Sequence, residues 1–381
     1  MVDPKGFLGL ESFRLEGTKP VWTYALADAL LEKRVWMRQG ENTTYVQYTL
    51  VRASGPLEMD LKALVNYRDF HSTTHSSDWR MNIEAVEHGV KVLPFAEAVP
   101  FYLRSAEASC EPRHEWYCNC FLPAERERGL DDNEDHLFAA LFHAKLDVGK
   151  SLTIALSTEA NAFLDGETVR AEQANHEVRL FSAWQAANEN AGDAPSWIWQ
   201  LVLAADQFVV RRSLPSQPEG RSIIAGYHWF GDWGRDTMIA LPGLTLSTGR
   251  PDVAKQILLA FAQFVDGGML PNNFPDAGGK PEYNTVDAAR RKHDVRAVHA
   301  GAGEWAAGNR SESTGELPGL SFHHAYERLA HEHRSGGARR GGAGVCGSRA
   351  LLSAKRGSIL RAAARVVPQL FFAGGAGTRT R

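Results

Sequence analysis

The sequence of 381 residues is poor in cysteine, nearly balanced in charge and free of long hydrophobic runs. Its four cysteines, at positions 110, 118, 120 and 346, are too few for a disulfide-rich scaffold. Cys118 and Cys120 are separated by one residue and lack a second ligand pair at zinc spacing. We therefore expect reduced cysteines, no bound metal and a cytoplasmic location.

The charge balance and the short apolar runs exclude two classes of partner. A formal net charge of −3 gives no indication of a nucleic-acid or acidic-lipid partner. No apolar run approaches the ~18 residues that a membrane helix needs, because Ile257–Val265 is too short and Trp197–Val210 contains Asp206. The first residues also lack the charged-then-apolar layout of a signal peptide. We expect neither a nucleic-acid nor a membrane partner.

Tryptophan, by contrast, is abundant, with ten residues in a composition that is otherwise ordinary for a globular protein. An indole offers a broad flat face on which a ligand can stack. The length predicts a multidomain protein with two or three domains.

The first 160 residues have the two-residue alternation of half-buried strands. Short alternating runs separated by turn residues predict an antiparallel β-sandwich for residues 1–160. The acidic run Asp131–Asp135 is interpreted as a solvated loop. The apolar positions of the clearest runs are Val46, Tyr48 and Leu50; Leu57, Met59 and Leu61; and Leu152, Ile154 and Leu156.

A helical period replaces this pattern from about residue 161. A linker helix is expected within residues 161–195, at Glu167–Ala187, and Ser196 is expected to cap the next helix. A third helix is expected to begin at Pro251 and to end at Gly267 and Gly268. The predicted apolar face after Ser196 comprises Trp197, Leu201, Ala204, Ala205 and Phe208; the face after Pro251 comprises Val253, Ile257, Leu258, Phe261, Phe264 and Val265.

Between these helices, residues 226–236 read GYHWFGDWGRD and combine aromatic rings with charged groups. A sugar has a C–H face that stacks on aromatic rings and a rim of hydroxyls that needs hydrogen-bond partners. We interpret this stretch as the floor of a sugar pocket. Its aromatic faces come from Tyr227, Trp229 and Trp233, its acceptors from Asp232 and Asp236, and its fixed donors from Arg235.

Structural alternatives stay open for the same residues. Trp229 and Trp233, four positions apart, are also what one core-facing stripe of a helix would contain. Arg235 and Asp236 are also consistent with an ion pair at a helix start, and Asp236 with a cap on the helix that follows.

Two downstream loops, at residues 268–276 and 282–287, carry further polar groups and follow helical segments. Asn272 lies in the first loop, and Tyr283, Asn284 and Asp287 lie in the second. Loops at the same end of successive helix pairs in a closed ring converge, so we expect these loops to meet residues 226–236.

Residues 226–250 and 267–288 closely resemble the amylo-α-1,6-glucosidase part of bacterial and archaeal glycogen debranching enzymes, glycoside hydrolase family 133. The first stretch reads GYHWFGDWGRDTMIALPGLTLSTGR and the second GGMLPNNFPDAGGKPEYNTVDA. Upstream, FRLEGTKPVWTYALADALLEKRVWM at residues 13–37 and LKALVNYRDFHSTTHSS at residues 61–77 resemble that family's N-terminal β-sandwich. The resemblance extends over residues 6–288.

The resemblance implies that residues 196–288 are the first part of an (α/α)6 toroid. It also implies inverting hydrolysis of α-1,6-glucosidic branch points in glycogen or limit dextrins, by two carboxylates and without a cofactor. Arg235 and Asp236 would grip the terminal glucose, and Asp287 would be the general acid between pocket walls at Tyr283 and Asn284. The alternative for Asp287 is a carboxylate that stabilises a helix N-terminus.

Residues 289–381 depart from the family pattern. They contain 16 Lys and Arg against 6 Asp and Glu, and few periodic apolar stretches, so we expect a poorly folded basic tail. Our hypothesis is a shifted reading frame after Asp287 or Ala288; the alternative is a basic segment that binds RNA or phosphates. A ring of six helix pairs needs well over about 250 residues, and residues 196–288 supply only its first part. The catalytic base, which the resemblance implies near the C-terminal end of the ring, therefore cannot be assigned. We expect an inactive chain, with a non-catalytic α-glucan-binding fragment as the alternative function.

Overall fold

A computed structural model describes residues 6–68, 72–76, 80–226, 230–267, 269–274, 280–283 and 371–372, all of which belong to one compact unit. Up to residue 157 this part of the chain is mostly strand. After a 3-10 turn at Gly6–Gly9, the elements are β1 (Leu10–Glu16), β2 (Lys19–Leu26), β3 (Ala29–Met37), β4 (Thr43–Arg52), β5 (Leu57–Val65), β6 (Asn82–Val86), β7 (Gly89–Leu93), β8 (Phe101–Arg104), β9 (Ser109–Phe121), the short helix α1 (Pro123–Glu127), β10 (Asn133–Leu146) and β11 (Ser151–Ser157).

Helices dominate the described chain after residue 165. The elements are α2 (Gly166–Ala187), a 3-10 turn (Ala191–Asp193), α3 (Trp197–Gln207), the hairpin strands β12 (Val209–Arg211) and β13 (Arg221–Ile223), α4 (Gly234–Leu241), a π-helical turn (Pro242–Leu246), α5 (Pro251–Ala262) and β14 (Phe371–Phe372). None of the described helices is both long and apolar enough to cross a bilayer. The ring predicted for residues 196–288 stays a prediction.

The strands up to residue 157, together with β14, form two antiparallel sheets around one core. The larger sheet has the order β1-β2-β3-β4-β11-β8-β7-β6, and the smaller has the order β14-β5-β10-β9. The core takes side chains from both sheets, including Leu50 of β4, Leu61 of β5 and Phe142 of β10, all completely buried. The N-terminal region is therefore mostly antiparallel sheet, which is consistent with the predicted β-sandwich.

The strand faces predicted from alternation are confirmed. Val46, Tyr48 and Leu50 of β4 are each 0% exposed. The predicted apolar positions of β5 and β11 join the same core, with Leu57 at its margin. The alternation is informative because the core-facing positions are apolar, although β4 and β11 are also buried on the opposite face, where Tyr45 and Ala155 pack with Val169 of α2.

The acidic run Asp131–Asp135 is not a solvated loop throughout, so that prediction is wrong for its second half. Glu134 and Asp135 belong to β10 and are only 3% and 7% exposed. Glu134 accepts a hydrogen bond from Nε of Arg68 at 2.7 Å, and Asp135 accepts two backbone N–H groups, each at 2.8 Å. These partners offset the cost of burying the two charges.

Helix α2 is capped at its start and anchored on the larger sheet. The Asp165 side chain accepts hydrogen bonds from two backbone N–H groups of the first turn. Further along, the buried carboxylate of Glu177 accepts from Nζ of Lys19 at 2.9 Å and from the hydroxyl of Thr18 at 2.6 Å. Burial opposes the charge of Glu177, but these bonds outweigh it and hold its pKa below the ordinary value. Gly17 has φ +63°, and a Cβ there would lie 2.1 Å from this carboxylate.

Helix α3 buries only part of the predicted face, in which Ala205 is buried. Val202 and Leu203 are buried, whereas Trp197 and Leu201 of the predicted face are 59% and 56% exposed. Val202 and Leu203 pack in one cluster with apolar side chains of α2, so the contact with α2 selects the buried face. Ser196 occupies the expected N-cap position, but its side chain makes no capping hydrogen bond.

Helix α5 begins at Pro251 and buries Val253, Ile257, Leu258 and Phe261, as the periodicity predicts. It ends earlier than the glycine signal predicts, at Ala262, which places Phe264 and Val265 beyond the helix. Both α4 and α5 pack against β13. The loop between β13 and α4 is thereby held close to the loop that follows α5.

Candidate functional site

Three segments that lie apart in the sequence meet at the start of α4. Trp233 forms an antiparallel bridge with Asn273, and Asn273 forms another with Glu282. The N–H of Gly234 donates to the carbonyl of Asn272 at 2.7 Å, and the N–H of Asn272 donates to the carbonyl of Glu282 at 2.7 Å. The described parts of all three polar loops therefore come together.

The close contact between the first two loops depends on glycine at position 234. A Cβ at Gly234 would lie 2.0 Å from the carbonyl oxygen of Pro271 and 3.4 Å from the Cα of Asn272. The clashing Pro271 carbonyl is backbone, so it cannot move aside as a flexible side chain can. The absence of a side chain at this position allows the loop after α5 to pack directly on the first residue of α4.

Asp232 lies beneath this junction in a buried ion pair. It is 0% exposed, and its carboxylate accepts hydrogen bonds from Nε and a terminal nitrogen of Arg212. The Arg212 guanidinium also lies 4.5 Å from the ring centroid of Phe274. A carboxylate this deeply enclosed fixes the loop that precedes α4, and its predicted role in sugar binding stays a prediction.

An aromatic cluster supports the same region. The buried ring of Phe274 packs edge-on against Phe261 and Phe264, with centroid distances of 4.9 Å in both pairs. The hydroxyl of Tyr283 donates to the carbonyl of Phe264 at 2.6 Å, and partial desolvation raises the pKa of Tyr283 above the ordinary value. Tyr283 is thus attached to the segment that follows α5, where Phe264 packs against the Phe274 ring that contacts Arg212.

Arg235 and Asp236 occupy the first turn of α4, directly after Gly234. Arg235 is exposed and Asp236 is half-buried. The structure shows no hydrogen bond or ion pair from either side chain to any described residue, so the alternative of a mutual ion pair does not hold for this structure. Asp236 also does not cap α4, because the N-cap position is Trp233 and no side chain makes a capping hydrogen bond there. The helix dipole still favours a negative charge at this position.

The structure places six of the predicted site residues. Asp232 and Asn272 are buried, Tyr283, Trp233 and Asp236 are half-buried, and Arg235 is exposed. The other predicted site residues, Tyr227, Trp229, Asn284 and Asp287, lie outside the described residues.

Arg212 is a residue of this site that sequence reasoning missed. It lies in the hairpin between β12 and β13, in the sequence Arg211-Arg212, where a pair of basic residues suggests an ordinary solvated turn. One signal was present, since a buried aspartate requires a cation or several N–H donors. That signal becomes useful only once Asp232 is known to be buried.

Comparison with known families separates the chain into two matched ranges. Residues 1–153 match the family described as "Glycogen debranching enzyme N terminal", and residues 203–291 match the family described as "Amylo-alpha-1,6-glucosidase". The second range contains the whole junction described above.

This chain is of the glycogen debranching enzyme type.

A curated relative supports this assignment. The chain is 38% identical over 115 residues to the "Glycogen debranching enzyme" of Saccharomyces cerevisiae (strain ATCC 204508 / S288c). The aligned part is 28% of this chain and 7% of that protein. The chain thus spans only a small part of the length of this curated relative.

Proposed function

We propose that the region around α4 binds the terminal glucosyl unit of a branched α-glucan, as part of a site for hydrolysing α-1,6-glucosidic branch points in glycogen or limit dextrins. The observation that carries this proposal is the convergence of the three polar loops on the first turn of α4. Arg235 and Asp236 project from that turn with no partners among the described residues. Their donors and acceptors are therefore free to bind vicinal hydroxyls.

The described contacts suggest a division of roles around this glucosyl unit. Arg235 and Asp236 bind it, and Trp233 offers an aromatic face at the rim. Asp232 and Asn272, which are buried, position these groups rather than contact the sugar. Tyr227, Trp229 and Asn284, with Tyr283, complete the proposed pocket wall.

The chemistry of the complete family site is hydrolysis with inversion. There Asp287 would protonate the leaving glycosidic oxygen, while a second carboxylate ~6.5–9.5 Å away would activate water. To act as the acid, Asp287 must keep its proton near neutral pH, which requires apolar or acidic surroundings. Neither the described residues nor the resemblance assigns a base to this chain, so we propose that it binds branched glucan without hydrolysing it.

Two assays on the full chain test this proposal. We expect retention on immobilised glycogen and no release of glucose from a branched limit dextrin. Glucose release would contradict the proposed inactivity, and absence of both retention and release would contradict glucan binding. Bovine serum albumin on the same matrix controls for non-specific retention.

The basic tail carries a separate proposal, a reading-frame shift after Asp287 or Ala288. The family match ends at residue 291, close to the point at which the charge balance changes from −13 to +10. Translation of the nucleotide sequence in the other two frames tests this proposal. Family-like helices in one frame are expected, and their absence from both would contradict it.

The same matches support the domain organisation that we propose. Residues 1–160 form the β-sandwich domain, residues 161–195 a linker helix, residues 196–288 the first part of the glucosidase domain, and residues 289–381 a tail outside the family. The two matched ranges, 1–153 and 203–291, lie close to these boundaries.

A further inference from the structure

A second polar cleft lies away from α4, between helix α2 and the turn that follows β3. Its volume is about 400 Å³, within the roughly 300–1,000 Å³ that is common for small-molecule sites. None of its lining residues belongs to the three loops that meet at α4. The polar side chains that line it include Arg38, Gln39, Gln173, Asn175, His176 and Arg179.

Most of the charge in this cleft is compensated by neighbouring groups, which argues against a strongly charged ligand. Arg38 forms ion pairs with Glu41 at 3.1 Å and with Glu172 at 3.2 Å. Nε2 of His176 lies 2.7 Å from a carboxylate oxygen of Asp206. Burial opposes the charge of Asp206, but bonds from His176 and the nearby Arg250 outweigh it and hold its pKa below the ordinary value.

The cleft retains hydrogen-bonding capacity of both kinds. Asn175 and Arg179 are exposed and have no side-chain hydrogen bond or ion pair within the part of the chain that the structure describes. They offer an amide and a guanidinium along one edge of α2. A hydroxyl-rich neutral molecule can use both, because each hydroxyl donates one hydrogen bond and accepts others.

We propose that this cleft is a second α-glucan site, which binds a short α-1,4-linked stretch of the chain whose branch point is recognised at α4. The choice of an α-glucan as the ligand rests on the proposed function at α4. The location of the second site and its hydrogen-bonding groups come from the cleft itself. The cleft is bounded by α2 and the β3–β4 turn. A second glucan site there gives the β-sandwich region a part in substrate binding.

Calorimetry of maltoheptaose binding to the full chain tests the second site. We compare Asn175→Ala and Arg179→Ala with two control variants on α2 that do not line the cleft, Gln185→Ala and Arg170→Ala. Each cleft variant is expected to weaken binding about tenfold, the equivalent of about one hydrogen bond to a charged group or two neutral ones. The controls are expected to change Kd by less than about twofold, as is usual for surface substitutions.

Three results would overturn the inference, and they separate it from the proposal for α4. If maltoheptaose binds but the cleft variants bind like the controls, the cleft is not a glucan site and the α4 proposal survives. If the parent chain binds no maltoheptaose but is retained on glycogen through Arg235, the cleft proposal fails alone. If inorganic phosphate competes at the cleft, its ligand is an anion and the assignment to a neutral sugar is wrong.

Discussion

Replacing Arg212 with methionine tests whether the buried ion pair with Asp232 holds the loops together at α4. Methionine keeps much of the length of the side chain but removes the cation. Asp232, which is 0% exposed, then loses its contact with a cation while it stays buried. Breaking one partner of such a pair typically costs about 3–5 kcal/mol. The lost contact with the Phe274 ring adds to this cost.

The cost should appear locally, in the amides that join the loops. Hydrogen exchange of the Gly234 and Asn272 amides reports the opening of this junction, because each donates to a carbonyl of another loop at 2.7 Å. A loss of about 3–5 kcal/mol speeds their exchange by roughly two to four orders of magnitude. Amides of β4 and β11, in the sandwich core, serve as the internal control and should not change.

A double variant makes the test specific to the ion pair. Asp232→Asn combined with Arg212→Met removes both charges, so its cost should be smaller than the sum of the two single costs. Unchanged exchange at Gly234 in Arg212→Met would refute the reasoning, and so would strictly additive costs in the double variant.

Two further predictions concern other parts of the same framework. Gly234→Ala should lower the free energy of unfolding by about 3 kcal/mol, because the new Cβ would clash with the Pro271 carbonyl. Gly243→Ala is the matched control, since a Cβ at Gly243 would meet nothing within 4 Å. Equal amide exchange at Asn272 in the two variants would contradict the clash. Glu177 has a lowered pKa, so its pairing with Lys19 stabilises the fold above the ordinary pKa of 4.5, and this contribution is lost as pH falls through the lower folded value. Glu177→Gln should therefore lower Tm most at neutral pH and least in acid; a pH-independent difference would contradict this assignment.

The strand pattern was predictable because the sheet face that packs on the core takes an apolar side chain at every second position. Val46, Tyr48 and Leu50 show it in the sequence and form the core in the structure. The face of α3 was not predictable in the same way. Apolar residues lie on several of its sides, and the contact with α2 decides which of them is buried.

At the candidate site, too, features that follow from local sequence could be predicted, whereas features that depend on a distant partner could not. The meeting of the three polar loops followed from their positions after helices, and the structure brings their described parts together. The burial of Asp232 did not follow, because its partner Arg212 lies in a separate hairpin. Glu134 was misread for a similar reason, since the cation that allows its burial, Arg68, comes from another part of the chain.

The binding role of the first turn of α4 can be measured most directly with Asp236→Asn and its matched control, Asp252→Asn. Both aspartates lie in the first turn of a helix, Asp236 in α4 and Asp252 in α5, so both substitutions remove a charge that the helix dipole favours. We predict that Asp236→Asn weakens glycogen binding by at least about tenfold, since hydrogen bonds to a charged group contribute about 1.5–3 kcal/mol. Asp252→Asn should leave the affinity unchanged. Equal affinities for the two variants would contradict glucosyl binding at α4.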